Sequence, residues 1–148
     1  MKIICIGRNY SEHIKELNNE TPEEPVIFIK PDTALLRNNN PFFIPDFSQD
    51  VHAISQFIPL EALNNETSQG IRAAQFHLEK NGEIVQSGNT CQMIHSVDEI
   101  IAHVSEYFSL RIGDFIFTGT PAGVGPVKSG DRLKGFLAGQ EMFNFVVK

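Results

Sequence analysis

His13 and Glu16 stand three positions apart in a segment, residues 11–17, whose composition predicts a short helix. Residues at i and i+3 are neighbours on a helix surface, so this helix presents an imidazole beside a carboxylate. A carboxylate can fix the tautomer of an imidazole and raise its basicity, which suits the pair to activating water. Such a pair is more often a solvated helix face, so the spacing alone is a weak indication of catalysis.

The glycine-rich run 118–125, Thr-Gly-Thr-Pro-Ala-Gly-Val-Gly, is the second segment with chemical potential. Its glycines let the backbone approach a ligand closely, and its hydroxyl and amide groups can hold an anion. The run lacks the Gly-Lys-Ser/Thr ending of a phosphate-binding P-loop. A tight connection after a strand is the alternative explanation.

Hydrophobic patterning predicts the elements that position these two segments. A buried strand at 2–6 precedes the short helix, for which Asn9 or Ser11 could be the N-cap, and a second strand covers 26–29. Residues 41–45 read as a short extended piece, and residues 54–70 favour no element. Asn81-Gly82 supplies the positive φ angles of a type I′ turn and predicts a hairpin.

The longest predicted helix covers residues 96–108, where Ser96 and Glu99 form a capping box and apolar residues recur at helical spacing. A strand at 115–117 leads into the glycine-rich run, and a second hairpin turns around 138–140. Many short strands with two helices predict an α+β domain dominated by mixed β-sheet.

Composition limits the function classes. With 148 residues, 41% hydrophobic, the chain is expected to form one domain, 1–148. Its 12 Lys and Arg against 18 Asp and Glu give a charge of -6, which argues against nucleic acid binding. Cys5 and Cys91 lack the spacing of a zinc site or a disulfide framework, so a reduced, cytoplasmic protein is expected. No apolar run is long enough to cross a bilayer.

Four blocks, taken in chain order, resemble the fumarylacetoacetate hydrolase family, particularly its single-domain acylpyruvase and oxaloacetate decarboxylase members. The blocks are Gly7-Arg8-Asn9-Tyr10 with His13 and Glu16, Pro25 through Lys30-Pro31, Asn81-Gly82-Glu83 with Gln86 to Thr90, and Gly113-Asp114 through Gly125. The run 117–125 is the most specific of them. The resemblance implies a mixed β-sheet roll of the family's C-terminal-domain type, with a short N-terminal helix and one longer amphipathic helix.

The same resemblance implies roles for individual residues. His13 would be the base that activates water and Glu16 would orient it. Substrate contacts would come from Arg8, Tyr10, Gly119 and Thr120. In family enzymes magnesium or manganese chelates a small 2-oxo acid and stabilises the enolate that forms as a carbon–carbon bond breaks. The implied activity is metal-dependent hydrolysis, decarboxylation or isomerisation of acylpyruvate- or oxaloacetate-type acids, in a protein that is commonly a homodimer.

One part of the family pattern is missing. Asp50-Val51-His52 resembles the start of a strand that carries two metal-binding glutamates in the family, but the next residues, Ala53-Ile54-Ser55, resemble a later region. A third ligand, an aspartate, and a lysine on a lid also have no counterpart. The nearest alternative carboxylates are Glu61, Glu66, Asp46 and Asp50, and acidic residues in turns are usually solvated. We therefore expect an internal deletion near 52–54 and assign no metal ligand.

Three hypotheses follow from this departure. The chain is a metal-dependent enzyme of small 2-oxo acids, or it is a catalytically silent remnant that binds a small anion or serves as an assembly partner. The third hypothesis is that the printed sequence omits a central segment, which the Cα separations between Val51 and Ser55 would reveal. The remaining histidines are expected to be structural or to lie on the surface, namely His52, His77, His95 and His103.

Overall fold

The computed structural model describes residues 1–31, 34–36, 41, 52–55, 57–66 and 70–148. The α-helices are Ser11–Glu16 (α1), Leu60–Glu66 (α2) and Val97–Tyr107 (α3). The strands are Ile3–Gly7 (β1), Val26–Lys30 (β2), Leu35–Leu36 (β3), His52–Ala53 (β4), Gln75–Lys80 (β5), Glu83–Asn89 (β6), Phe115–Phe117 (β7), Arg132–Leu137 (β8) and Gln140–Val146 (β9). The α+β class with mixed sheet is confirmed.

Two compact units make up the chain, each from two separated segments. Unit 1 comprises Met1–Asp32 and Cys91–Ala122, and unit 2 comprises Thr33–Thr90 and Gly123–Lys148. The single domain expected from the sequence stays a prediction. No helix within the described ranges has the length and apolar character of a membrane span.

Unit 1 is built on a three-stranded sheet in the order β2-β1-β7. Strand β1 runs antiparallel to β2 and parallel to β7, so Ile3 lies between Lys30 and Phe115. Helix α3 covers one face of this sheet: its buried Ile100 and Val104 form a core cluster with Ile4 and Ile6 of β1. Burial of each such aliphatic side chain stabilises the fold by about 1.5–3 kcal/mol.

The ends of α3 and α1 show what the capping patterns could predict. For α3 the predicted capping box is confirmed, because the backbone N–H of Glu99 donates to Ser96 Oγ at 3.3 Å and the backbone N–H of Ser96 donates to Glu99 Oε2 at 2.7 Å. For α1 the predicted cap is wrong. Tyr10 is the N-cap, and it makes no side-chain capping hydrogen bond. Asn9 is not the cap because its carboxamide bonds elsewhere in unit 1, as described below.

Unit 2 contains a four-stranded antiparallel sheet in the order β6-β5-β8-β9 and a parallel pair, β3 with β4. Its core cluster centres on Leu133, Phe145 and Val147. The type I′ hairpin prediction is confirmed, with φ of 56° at Asn81 and 88° at Gly82. The second hairpin turns through Ala138 and Gly139, also with positive φ.

Two further segments, 41–45 and 54–70, can be compared with what the sequence indicated. The extended piece at 41–45 lies, apart from Pro41, outside the described residues. Within the unassigned stretch 54–70 the structure contains α2, a helix the patterning did not predict. It follows Pro59, whose carbonyl accepts the N–H of Ala62 at 3.0 Å, and it buries Leu63. Asn64-Asn65 inside it are weak helix formers, which explains why the pattern gave no signal.

Candidate active site

Helix α1 places the predicted catalytic pair side by side. Nδ1 of His13 lies 3.2 Å from Oε2 of Glu16, and their side chains are 13% and 34% exposed. Ile14, at 2% exposure, is the buried residue of this helix and anchors it. If Nδ1–H donates to the carboxylate, the lone pair remains on Nε2, which makes that nitrogen the base of the pair.

Tyr10 stands at the start of this helix and is 3% exposed. Its carbonyl accepts the N–H of Ile14 at 3.1 Å, and its backbone forms a β-bridge with Met93. Burial, and to a smaller degree the Cys91 thiol, raises the pKa of Tyr10 to about 12. The phenol is therefore neutral at physiological pH and can donate a hydrogen bond.

The glycine-rich loop approaches the helix start closely. Gly119 has φ of 116°, and an ideal Cβ built on it would lie 3.0 Å from Cβ of Asn9 and 3.4 Å from Cδ2 of Tyr10. Glycine is thus favoured here both by its backbone conformation and by its surroundings. Thr120 follows directly, and Pro121 after it is buried. The structure brings Gly119 against the segment that begins α1.

Arg8 occupies the turn between β1 and α1 with an exposed side chain and a φ of 57°. This left-handed conformation costs a non-glycine residue about 1–2 kcal/mol. The turn brings Asn9 and Tyr10 inward while Arg8 faces solvent. Arg8 therefore provides a solvent-accessible positive charge among the residues predicted to contact substrate.

Asn9, which the capping pattern predicted as a possible N-cap of α1, has a different role in the structure. Its Nδ2 donates to the carbonyls of Thr118 at 2.7 Å and His95 at 3.1 Å, and its Oδ1 accepts the N–H of His95 at 2.8 Å. Asn9 is 1% exposed. The sequence gives no signal for these partners, because they are 86 and 109 positions away along the chain.

Three other histidines have side chains that the structure describes. Nε2 of His95 is buried and, within the described part of the chain, has no hydrogen-bond partner. The ring of His77 stacks on Phe136 with centroids 4.4 Å apart, and His103 makes an edge contact with Tyr107. Their structural or surface roles stay predictions, as does that of His52, whose side chain is not described.

The described residues do not fit a magnesium site. Magnesium requires several oxygen ligands in near-octahedral geometry. Among the side chains that the structure describes, which do not include those of His52 and Glu66, no group of three or more His, Cys, Asp or Glu could hold a metal ion. Glu61 is exposed. Asp46, Asp50 and Val51 lie outside the described residues, so neither those two carboxylates nor the Cα separation from Val51 to Ser55 is described.

This chain is similar in sequence to a known protein family and to a bacterial protein. The model of the fumarylacetoacetate hydrolase C-terminal family matches residues 2–53 and 50–144. Oxaloacetate tautomerase YcgM of Escherichia coli strain K12 is 34% identical, in an alignment that covers 89% of this chain and 86% of that protein. The alignment spans 188 positions, more than the 148 residues of the entire chain.

Solved structures share the fold. A fumarylacetoacetate hydrolase family protein from Yersinia pestis CO92 superposes with a TM-score of 0.87 at 32% identity, covering 99% of this chain and 93% of that one. Fumarylpyruvate hydrolase from Pseudomonas aeruginosa, solved with Mn²⁺ and pyruvate, gives 0.78 at 24% identity, covering 99% of this chain and 89% of that one. At that identity the second likeness shows the fold alone.

Proposed function

The chain belongs to the fumarylacetoacetate hydrolase family, and from that premise we propose that it acts on a small 2-oxo acid of the oxaloacetate type. In this proposal Nε2 of His13 is the base, and Glu16 holds the imidazole in the required tautomer. The observation that carries the proposal is the 3.2 Å contact between His13 Nδ1 and Glu16 Oε2. The E. coli relative, named for tautomerisation of oxaloacetate, supports proton transfer as the reaction.

Keto–enol conversion is the reaction that these residues could perform. The base removes a proton from the carbon next to the carbonyl, and the C–H electron pair becomes the double bond of an enolate. Return of the proton to oxygen gives the enol, so no oxidant or second reactant is required. Charge on the enolate oxygen requires donors, for which we propose the side chain of Arg8 and the loop at Gly119 and Thr120. No step is assigned to a metal, because the described residues do not fit one.

The decisive experiment follows oxaloacetate tautomerisation through the ultraviolet absorbance of the enol. His13→Ala is expected to lower kcat/KM by about 100-fold or more, the usual contribution of a general base. Lys15→Ala is the matched control, because Lys15 is on the same helix with a side chain that is 72% exposed. Equal rates for wild type and His13→Ala would overturn the proposal. Parallel assays with EDTA and with added Mg²⁺ or Mn²⁺ test the metal dependence known for family enzymes.

A second candidate is a catalytically silent member that binds a small anion or acts as an assembly partner. Two observations favour it: the family match falls into two parts that meet at residues 50–53, and the alignment with the E. coli relative is longer than this chain. We propose from them an internal deletion near 52–54 that removed the metal-binding segment. Binding of pyruvate or oxalate without turnover, unchanged by EDTA, would identify this candidate.

The proposed assembly is a homodimer. Within the described residues strand β2 is an edge of the unit 1 sheet, and it exposes Val26, Phe28 and Ile29 at 40%, 43% and 55%. Apolar edge strands favour pairing with another chain. Sedimentation equilibrium measures the mass, and a monomer at micromolar concentration would contradict this part of the proposal.

The proposed compartment is the cytoplasm. Both cysteines, buried Cys5 and exposed Cys91, remain thiols. Cysteines that form no disulfide are typical of reducing compartments. Fractionation of cells that express the chain tests the location, and recovery outside the cytoplasmic fraction would contradict it.

A further inference from the structure

We propose that Asn9 is the positioning residue of the site, and that its carboxamide fixes the start of helix α1, and with it His13 and Glu16, against Thr118 and Gly119 of the glycine-rich loop. The inference rests on the proposed function, because positioning matters only if the imidazole meets a substrate held at that loop. Asn9 would act through other residues and does not itself contact substrate.

The hydrogen bonds of Asn9 use its side chain fully. Both Nδ2 protons have an acceptor, at Thr118 O and His95 O, and Oδ1 accepts from the backbone N–H of His95. Its backbone carbonyl accepts the N–H of Ile94 at 2.9 Å. Two donors and one acceptor on one short planar group are what this place requires, and Asn is the residue that supplies them at this length.

Burial makes this arrangement sensitive to substitution. Asn9 is 1% exposed, so its carboxamide is shielded from water. An aspartate of the same shape would keep the bond from His95 N–H but would turn a second acceptor towards the carbonyls of Thr118 and His95. Unpaired or repelling groups are costly when buried, so the backbone at 9 or at 118 would have to move.

Such a movement would reach the candidate catalytic pair over a short path. Tyr10 follows Asn9 and is the N-cap of α1, and His13 is in the first turn of that helix. On the other side, Gly119 follows Thr118 and approaches Asn9 and Tyr10 closely. Displacement of either partner changes the separation between the imidazole and the loop. A misplacement of about 1 Å can lower catalytic rates by about 100-fold.

Asp114 provides a matched comparison at the opposite end of the same strand pair. Its carboxylate accepts from the backbone N–H of Lys2 at 2.6 Å and of Arg111 at 2.9 Å, and it pairs with Lys2 Nζ at 2.6 Å. Lys2 precedes β1 and Asp114 precedes β7, whereas Asn9 and Thr118 follow these strands. Both side chains join β1 to β7, but only Asn9 does so beside α1 and the glycine-rich loop.

The test compares Asn9→Asp with Asp114→Asn, two substitutions that preserve volume. The ¹⁵N and ¹³C shifts of the His13 ring report its tautomer and surroundings, and urea denaturation reports stability. We expect both variants to lose stability, but only Asn9→Asp to change the His13 ring shifts and to lower kcat/KM for oxaloacetate by about 100-fold. If Asn9→Asp does not fold, Asn9→Ser, which keeps one donor, replaces it with the same expected direction.

Other outcomes separate the two proposals. Unchanged ring shifts in a folded Asn9 variant, or equal changes in the Asp114→Asn protein, would overturn the positioning role. If wild type shows no turnover while the ring shifts respond to Asn9 and not to Asp114, the positioning role stands and the proposed enzymatic function fails.

Discussion

Oε2 of Glu16 lies 3.2 Å from Nδ1 of His13, and one position earlier on the same short helix Oε1 of Glu12 lies 2.7 Å from Nζ of Lys15. Both are i,i+3 pairs of a carboxylate with a basic side chain. They differ in exposure. The His13 and Glu16 side chains are 13% and 34% exposed, whereas those of Lys15 and Glu12 are 72% and 67% exposed. The less exposed pair, His13 with Glu16, is the one that we propose as catalytic.

Glu16→Gln is expected to lower kcat/KM for oxaloacetate tautomerisation by about 10- to 100-fold, within what general-base assistance contributes. The amide is neutral and stabilises a protonated imidazole less than a carboxylate does. Glu12→Gln, at the same spacing on the same helix, is expected to change the rate less than twofold. Steady-state kinetics of both variants decide the matter, and equal losses would show that the helix, rather than the pair, is responsible.

Gly119→Ala is expected to destabilise the protein by about 2–4 kcal/mol, from a strained positive φ together with crowding against Asn9 and Tyr10. Gly130→Ala is its control, because Gly130 has φ of 95° but open space around the added Cβ. There the backbone term alone, about 1–2 kcal/mol, should appear. Urea denaturation of the two variants measures the difference, and equal losses would refute the close approach.

Acid sensitivity is expected to depend on Asp114. Hydrogen bonds from Lys2, chiefly, and from Arg111 hold the pKa of this carboxyl well below its ordinary 3.8. Because the folded pKa is lowered, the stabilisation is fully present above the unfolded pKa and is lost as pH falls from there towards the folded pKa. The free energy of unfolding should therefore decline below about pH 4, and Asp114→Asn should flatten that decline. Urea titrations between pH 2 and 7 test it, and identical slopes would contradict it.

Gly135→Ala is expected to destabilise unit 2 by about 1–3 kcal/mol, because a Cβ there would overlap the ring of Phe143 on the neighbouring strand. The double variant Gly135→Ala with Phe143→Leu should lose less than the sum of the single losses, since the smaller side chain relieves the overlap. Additive losses in a thermal denaturation series would show that the ring does not cover the glycine.

Local signals in the sequence predicted much of this fold. The Asn81-Gly82 turn and the Ser96 capping box depend on residues within a few positions of each other, and both are present in the structure. The family resemblance, carried by the blocks at 7–16 and 113–125, is confirmed by the family match. The turn and the capping box could be predicted because the residues that form each of them are close along the chain.

Long-range partners could not be predicted in the same way. The capping pattern assigned Asn9 to α1, but its carboxamide bonds to His95 and Thr118, which are 86 and 109 positions away. No periodicity or spacing rule encodes such a pairing. Helix α2 was missed for a different reason, because Asn64-Asn65 lower its propensity and its N-terminal turn depends on the Pro59 carbonyl. The roles of His13, Glu16, Arg8, Tyr10, Gly119 and Thr120 stay predictions.

Strand β1 has its parallel neighbour, β7, more than a hundred positions along the chain, since Ile3 pairs with Phe115. On the ribosome strand β1 must wait until β7 has emerged before this sheet can close, whereas the hairpin at Asn81 can form as soon as its own residues emerge. The stretch between β1 and β7 is a tether, and the entropic cost of bringing the two strands together rises only logarithmically with its length. Evolution could therefore shorten that tether considerably and still leave the two ends able to find each other.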